Sequence, residues 1–250
     1  MKILTFIKRI IFPPRCVFCD AILEPNTAAE ICSDCVGKQK VCSAYPCCIK
    51  CGKPLASFGQ KQLCYHCLNT RGEKFNAIAS VFEYEGIVRS SIVRYKSAKI
   101  YKYANVYATF MAARFFEEFS DIDFDFMCAA PSHEAKNWRD ELNMVEAICK
   151  PLSKLINVDF VPDVLVKTRK TQKQSSLGYK DRQKNLIDSM AAQKSELCPG
   201  KTVLLIDDVC TTRATISECA SALKAAGAKK VYALTLATTV KNSPSDNIVL

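Results

Sequence analysis

The spacing of apolar residues changes along the chain near residues 71–75. Beyond this point, short apolar runs alternate with longer segments whose apolar residues recur at helical spacing. That alternation is typical of an α/β fold, in which helices cover both faces of a mostly parallel sheet. The predicted strands cover 77–84, 125–130, 163–167, 202–206 and 230–237. The predicted helical segments cover 87–118, 134–156 and 213–226, and a polar loop followed by a helix covers 168–193.

Cysteine pairs dominate the chain before this change. Four Cys-x-x-Cys pairs occur, and the second two repeat the spacing of the first two 32 positions later, which indicates an internal duplication. The eight cysteines are Cys16, Cys19, Cys32, Cys35, Cys48, Cys51, Cys64 and Cys67. Two such pairs supply four thiolates to one tetrahedral ion, so we expect two structural Zn²⁺ ions. A redox or disulfide role for the pairs is the alternative.

The spacing leaves the pairing of the four cysteine pairs open, because each repeat could close its own site or the pairs could interleave. His66 could replace a thiolate, but its repeat already holds four cysteines, so we expect it to bind no metal. Cys42 and Cys47 are spare by the same count. We therefore divide the chain into a zinc-ribbon-like domain over 1–72 and an α/β domain over 75–250.

The first residues resemble a signal peptide only superficially, because Lys8 and Arg9 interrupt the apolar run and no small-residue cleavage site follows. Apolar residues between positions 3 and 11 instead predict a short amphipathic helix, which would dock on the protein itself or touch a membrane surface. No apolar run is long enough to span a bilayer. Fifteen cysteines without an export signal favour a reducing, cytoplasmic location.

The formal net charge of +10 counts the cysteines as neutral. Eight thiolates and two Zn²⁺ ions would reduce it to about +6, so the protein stays basic. The zinc region could serve only to hold the fold together, or it could also grip a nucleic acid or a protein partner.

Candidate chemistry concentrates in VLLIDDVCTTRATI, residues 203–216. Asp207 and Asp208 follow a buried strand, and Thr211 or Thr212 can cap the next helix. The amide groups at a helix start bind anions, threonine hydroxyls add donors, and a pair of carboxylates suits hydroxyl groups or hydrated Mg²⁺. Together these features predict a site for a ribose 5-phosphate. Ordinary helix capping beside two solvated acids is the alternative.

The segment Asp207 to Thr215 resembles the phosphoribosyl-pyrophosphate signature of type I phosphoribosyltransferases. Nearly the whole chain resembles the ComF family of competence-associated proteins, which joins an N-terminal zinc domain to that fold. The likeness includes FPPRCVFC at 12–19, FEYEGIVRS at 82–90 with Tyr95 and Lys96, and a segment from Arg169 to Asn185.

The resemblance implies that Asp207 and Asp208 are the catalytic carboxylates, which hold the ribose hydroxyls with Mg²⁺. It implies phosphoribosyl pyrophosphate as the ligand and a role in DNA uptake during natural transformation, with single-stranded DNA and DNA-translocation proteins as candidate partners. The residues expected to contact the ligand's phosphates are Thr211, Thr212, Arg213, Ala214 and Thr215 in the signature, and Ser132 in the loop beside His133.

The chain departs from the family at two places. Arg213 stands where members usually carry glycine, and DELN at 140–143 stands where they often have Arg-Gly-Phe-Asn. These changes favour a ligand-binding, DNA-handling protein over an active Mg²⁺-dependent transferase acting on an unidentified nucleobase-like or amine acceptor, and they lead us to expect that Arg213 obstructs the phosphate cradle. The basic segment 167–185 is a solvated loop, a lid over the ligand or a nucleic-acid contact.

Overall fold

The computed structural model describes residues 12–55, 63–70, 72–98, 102–131, 144–168 and 189–240. Within these ranges the strands are β1 (Ala77–Glu83), β2 (Phe126–Ala129), β3 (Leu165–Lys167), β4 (Met190–Ala192), β5 (Thr202–Cys210) and β6 (Lys230–Thr238). The α-helices are α1 (Tyr65–Asn69), α2 (Gly86–Ala98), α3 (Tyr103–Phe119), α4 (Met144–Ile156) and α5 (Ala214–Ala225). Two short 3₁₀ turns cover Cys42–Ala44 and Ser195–Leu197. No helix among the described residues is long and apolar enough to cross a membrane.

Four strands form one parallel sheet in the order β1-β6-β5-β2. The central strand β5 has four consecutive buried residues, Val203 to Ile206, as expected for a strand covered on both faces. Parallel pairing places the carboxyl ends of β5 and β6 at the same edge, with Cys210 opposite Thr238. Ligand sites of parallel α/β sheets lie at this edge.

Alternate residues of β5 face two separate cores, because successive side chains of a strand point to opposite faces. Leu204 and Ile206 belong to a core built with the buried faces of α2, α3 and α4. Val203 and Leu205 belong to a second core, built with the apolar face of α5 and with residues of β3 and β4. Helices on both faces of the parallel sheet confirm the predicted fold class.

Strand β1 forms one edge of the described sheet, and the cysteine-rich region packs against it. The amide of Ile78 donates to the carbonyl of Lys50 at 3.0 Å, and the amide of Glu83 donates to that of Lys40 at 2.9 Å. Val41 also forms an antiparallel bridge with Phe82. These bonds satisfy part of a strand edge that would otherwise be open to pairing with another chain.

The two cysteine repeats join different cores. Phe18 of the first repeat packs edge-on against Phe82, with ring centroids 5.9 Å apart, in the core under α2 to α4. The cysteines of the second repeat belong to the other core, with Phe75 and Ile78. The division into domains 1–72 and 75–250 stays a prediction, but side chains from both sides of that boundary share each core.

Several predicted elements differ from the structure. The helical segment 87–118 contains two helices, α2 and α3. The segment 168–193 ends in strand β4 and not in a helix, and β4 pairs antiparallel with β3 outside the main sheet. Strand β5 continues four residues beyond its predicted end at 206, so Asp207 and Asp208 lie within it.

Candidate metal centres and phosphate-binding loop

Each cysteine repeat closes its own site. The sulfur atoms of Cys16, Cys19, Cys32 and Cys35 lie within 4.8 Å of one another, and so do those of Cys48, Cys51, Cys64 and Cys67. Four convergent thiol groups match the donor set of a structural zinc site, in which no position stays open for catalysis. The chain therefore has two four-cysteine zinc-binding sites, and the pairing that the spacing left open is settled within each repeat.

Backbone bonds follow the same 32-residue duplication. The amide of Cys32 donates to the Sγ atom of Cys16 at 3.4 Å, and the amide of Cys64 donates to that of Cys48 at 3.3 Å. Amide donors of this kind orient the thiolates and stabilise their negative charge around a metal. The two sites thus have the same four-cysteine ligand set and equivalent amide bonds to a ligand sulfur.

His66 is not part of either sulfur cluster. Its Nδ1 atom lies 2.7 Å from the hydroxyl of Thr70 and 2.5 Å from the guanidinium of Arg213. Cys42 and Cys47 also lie outside both clusters, and the thiol of Cys47 donates to the carbonyl of Cys42 at 3.2 Å. That these three residues bind no metal stays a prediction.

The acidic pair lies near the carboxyl end of β5. The amide of Asp208 donates to Oδ1 of Asp207 at 2.8 Å, which fixes the first carboxylate against the strand. Lys96, in the last turn of α2, places its Nζ atom 2.5 Å from Oδ2 of Asp208. The side chain of Lys96 is 46% exposed and that of Asp208 is 18% exposed, so this ion pair borders the solvent.

The two groups beside this ion pair have shifted pKa values. Burial raises the pKa of Asp207 to about 7, and the negative charge of Asp208 acts in the same direction. Burial lowers the pKa of Lys167, although the charges of Cys219 and Asp207 oppose that effect. The site therefore contains a carboxyl group that titrates near neutral pH and a lysine whose charge is disfavoured.

The loop after β5 turns directly into α5. Thr239, directly after β6, fixes the start of this loop, because its hydroxyl donates to the carbonyl of Thr211 at 3.3 Å. A narrow cleft is lined by Asp207, Val209, Cys210, Thr211, Arg213, Ala214, Thr215 and Ile216. The first amides of a helix lack partners within the helix, so this loop is a candidate position for an anion.

Neither threonine caps α5 as predicted. The residue at the N-cap position is Arg213, which makes no side-chain capping bond. Thr212 instead accepts a long hydrogen bond of 3.4 Å from the amide of Ala214. Arg213 adopts a left-handed backbone conformation, with φ 63° and ψ 0°, in which glycine would be unstrained.

The side chain of Arg213 is buried and runs toward the second cysteine repeat. Its guanidinium donates to the Sγ atom of Cys67 at 3.1 Å, and its Nε atom lies 3.4 Å from a carboxylate oxygen of Glu73. We expected this side chain to obstruct the phosphate cradle. In the structure the guanidinium contacts the second cysteine repeat, and Arg213 is also one of the residues that line the cleft. The effect of Arg213 on ligand binding stays a prediction.

The structure places Asp207 and Asp208 near the end of β5, and residues 211–215 in the loop and first turn of α5 that follow it. Ser132, His133 and most of the basic segment 167–185 lie outside the described residues. Sequence reasoning did not find the pairing of Lys96 with Asp208 or the contact of Arg213 with Cys67. Both contacts join residues more than 100 positions apart, and spacing along the chain carries no signal for them.

A basic groove lies between the second repeat and α5. This cavity of about 680 Å³ is lined by Lys50, Glu73, Lys74, Phe75, Asn76, Ser221, Lys224 and Ala225. Burial lowers the pKa of Lys224, and the positive charges of Lys50 and Lys74 lower it further. The ammonium group of Lys50 lies 4.7 Å from the centre of the Phe75 ring. Three neighbouring positive charges make the groove a candidate anion site.

Comparison with known proteins agrees with this architecture. Residues 7–68 match the double zinc ribbon domain family, and residues 148–247 match the phosphoribosyl transferase domain family. The chain is 25% identical to competence protein F of Haemophilus influenzae over 228 residues, which are 89% of this chain and 96% of that protein. It is 28% identical to DNA utilization protein YhgH of Escherichia coli K12 over 116 residues, or 46% of this chain and half of that relative.

Among solved structures, glutamine phosphoribosylpyrophosphate amidotransferase from B. subtilis, complexed with ADP and GMP, is 15% identical with a TM-score of 0.35. The match covers 54% of this chain and 26% of that one.

These matches and the parallel sheet define the class of protein. It has a phosphoribosyltransferase fold and an N-terminal double zinc ribbon. The order of these domains and the near full-length match make the chain similar to the ComF family of competence proteins.

Proposed function

We propose that the chain binds phosphoribosyl pyrophosphate, or a closely related ribose phosphate, where β5 meets α5, and that it serves DNA uptake in natural transformation. The observation that carries this proposal is the junction itself. Asp207 and Asp208 lie on the same strand as the start of a cleft that opens at the first turn of α5. Carboxylates that accept hydroxyl hydrogens thus stand beside donors suited to a phosphate.

In this proposal the two carboxylates hold the ribose hydroxyls, and residues 211–215 hold the 5-phosphate. Mg²⁺, when bound, would neutralise part of the pyrophosphate charge. Carboxylate oxygens are suitable partners for hydrated Mg²⁺, so the acidic pair fits it. A ligand that takes Asp208 would free the ammonium of Lys96 for the negative charge of the pyrophosphate.

Calorimetric titration with Mg²⁺-phosphoribosyl pyrophosphate tests the binding site. We expect Asp207→Asn and Asp208→Asn each to weaken binding at least tenfold, since a charge-assisted hydrogen bond contributes about 1.5–3 kcal/mol. Asp123→Asn is the matched control, because Asp123 is an exposed carboxylate that precedes β2. Equal affinity in all four proteins would remove the proposed site.

The titration behaviour of Asp207 favours a second function at the same site, that of a phosphoribosyltransferase. A carboxylate with a pKa of about 7 is suited to accept a proton from an acceptor at neutral pH. Release of pyrophosphate in the presence of candidate nucleobases or amines, abolished in Asp207→Asn, is the expected result for an enzyme. Binding without release under any of these conditions would leave the ligand-binding function.

The groove formed by Lys50, Lys74 and Lys224 supports a further part of the proposal, the binding of single-stranded DNA. Repulsion from the neighbouring charges of Lys50 and Lys74 disfavours the positive charge of Lys224, and a phosphate backbone would relieve that repulsion. Such binding is electrostatic, so log affinity should fall with log salt by about 0.7 for each phosphate contact.

Fluorescence anisotropy with an oligothymidylate at several salt concentrations tests this location. Lys74→Gln and Lys224→Gln together should weaken binding and reduce the salt slope by about 1.4. Lys154→Gln, at an exposed position on α4, should change neither beyond a general charge effect. An unchanged slope in the double variant, with a loss in Lys170→Gln/Lys173→Gln, would move the contact to the basic segment predicted from the sequence.

A further inference from the structure

Arg213 connects two sites through one residue. Its guanidinium reaches the second cysteine cluster, 3.1 Å from Sγ of Cys67 and 2.5 Å from Nδ1 of His66. Its backbone belongs to the phosphate-binding loop, where its carbonyl accepts the amide of Ser217 at 2.8 Å and begins α5. The residue is only 8% exposed, so the connection runs through the interior of the protein.

The contact with Cys67 is suited to a metal-bound thiolate. Four thiolates around one Zn²⁺ leave a net negative charge, and a guanidinium donor stabilises that charge. Glu73, at 3.4 Å from Nε, holds the other side of the guanidinium. Donors to metal ligands orient them and raise metal affinity, so Arg213 has the position of such a supporting group.

The first cysteine cluster is held differently. Arg94 of α2 donates to the carbonyls of Val17 at 3.0 Å and Phe18 at 2.9 Å. These are backbone oxygens between Cys16 and Cys19 and not sulfur atoms. The two sites therefore have the same type of ligands and equivalent amide bonds to sulfur. Among the described contacts, the arginine bond to a ligand sulfur occurs at the second site.

The backbone of Arg213 gives this bond a consequence for the loop. A left-handed conformation is strained for any residue that has a Cβ atom, and it persists where surrounding contacts determine it. The buried contacts of the guanidinium supply such a constraint. Release of the side chain would let Arg213 leave the left-handed region, which changes the path of the loop into α5.

We infer that Arg213 is a positioning residue that couples the second zinc site to the phosphate-binding loop, so that metal at Cys48, Cys51, Cys64 and Cys67 keeps the loop in the shape that receives an anion. The anion's identity rests on the proposed function, but the coupling between metal and loop does not. Coupling between two sites is reciprocal, so it can be measured from the metal side without any ligand.

The first measurement is the rate of zinc transfer from the full-length protein to a chromogenic chelator. We expect two zinc ions with separate phases, and Arg213→Gln should speed one phase roughly 10- to 100-fold, the range for loss of a partner of a metal ligand. Arg94→Gln is the matched control and should leave that phase unchanged. Identical release from the wild type and Arg213→Gln would overturn the inference.

The second measurement is amide hydrogen exchange in peptides that cover 208–217. Loss of the second zinc ion, through Cys67→Ser, should increase exchange there severalfold, whereas loss of the first ion through Cys19→Ser should not. Arg213→Gln should raise exchange with both ions bound, and Arg213→Lys, which keeps one donor, should restore part of the protection. Equal protection in all of these proteins would refute the coupling.

Glu73→Gln provides a test should Arg213→Gln fail to fold, because it removes one anchor of the guanidinium and leaves Arg213 in place. It should speed release of the second zinc ion and increase exchange in 208–217, each by less than Arg213→Gln would. No change in either measurement would count against the inference. Both readouts are independent of phosphoribosyl pyrophosphate, so failure of the proposed ligand cannot be mistaken for failure of the coupling.

Discussion

Gly52 follows the first Cys-x-x-Cys pair of the second repeat and has a left-handed backbone, with φ +66°. A Cβ atom there would overlap the carbonyl oxygen of Ile78 and lie 3.1 Å from its carbonyl carbon and 3.4 Å from Cα of Ala79. These are backbone atoms of strand β1, which cannot rotate away as a side chain can. We therefore predict that Gly52→Ala separates the second repeat from the edge of the sheet.

The expected cost has two parts. The left-handed conformation costs about 1–2 kcal/mol for a residue with a Cβ atom. Displacement of β1 also weakens the bond from the Ile78 amide to the Lys50 carbonyl, now 3.0 Å long, and a hydrogen bond of this kind contributes about 0.5–1.5 kcal/mol. Gly52→Ala should thus lower the free energy of unfolding by about 1.5–3.5 kcal/mol.

Urea unfolding at a fixed zinc concentration, followed by far-UV circular dichroism, measures this change. Gly37→Ala is the matched control, because Gly37 has φ +77° but no atom within 4 Å of the added Cβ. The control should lose only the conformational part, about 1–2 kcal/mol. Equal losses in the two variants would refute the role of the Ile78 contact, and a stable Gly52→Ala would refute the whole account.

Three further predictions concern charge, metal and the ion pair. Because the pKa of Asp207 is raised to about 7 in the folded protein, its contribution to stability is present below about pH 4 and lost as pH rises through 7. Asp207→Asn should therefore gain stability relative to wild type between pH 5 and pH 8 in urea unfolding, and a constant difference would contradict the shift. A chelator that removes both zinc ions should lower the melting temperature of the α/β sheet as well as unfold the cysteine region, since each core contains residues of both; calorimetry showing an unchanged sheet transition would contradict this. Lys96→Gln should weaken binding of Mg²⁺-phosphoribosyl pyrophosphate severalfold with little change in stability, because its ion pair borders the solvent, and unchanged affinity in calorimetric titration would remove Lys96 from the site.

The sequence predicted most of the elements because their signals are local. Buried strands, amphipathic helices and the cysteine pairs each occupy a short window, and the 32-residue duplication identified the metal ligands. The acidic pair and threonine loop were recognisable for the same reason. Strand β4 was missed because it has only three residues and pairs with the equally short β3 outside the main sheet. A window that small does not distinguish a strand from the end of a polar loop.

The conformation of Arg213 could not be predicted from its neighbours. Local rules predicted that a threonine caps the helix and that arginine is unfavourable in a tight loop. Both rules correctly describe the free-energy cost of a left-handed backbone at Arg213, but they omit the tertiary contacts that offset this cost. Those contacts come from Cys67, His66 and Glu73, which lie about 140 positions earlier in the chain.

The two repeats show how packing makes duplicated sequences unequal. Asp20 occupies the position that matches Gly52, with nearly the same left-handed backbone at φ 67°. Its carboxylate accepts a hydrogen bond from the hydroxyl of Tyr103 at 3.2 Å and lies 3.3 Å from the guanidinium of Arg15. The conformation is therefore a requirement of the repeat, and each copy meets it according to its surroundings. The first repeat has space for an aspartate that binds α3, whereas the second lies too close to β1 for any side chain. That close approach also brings Cys67 within reach of Arg213, so the same packing that requires glycine at position 52 places the second zinc site beside the phosphate-binding loop.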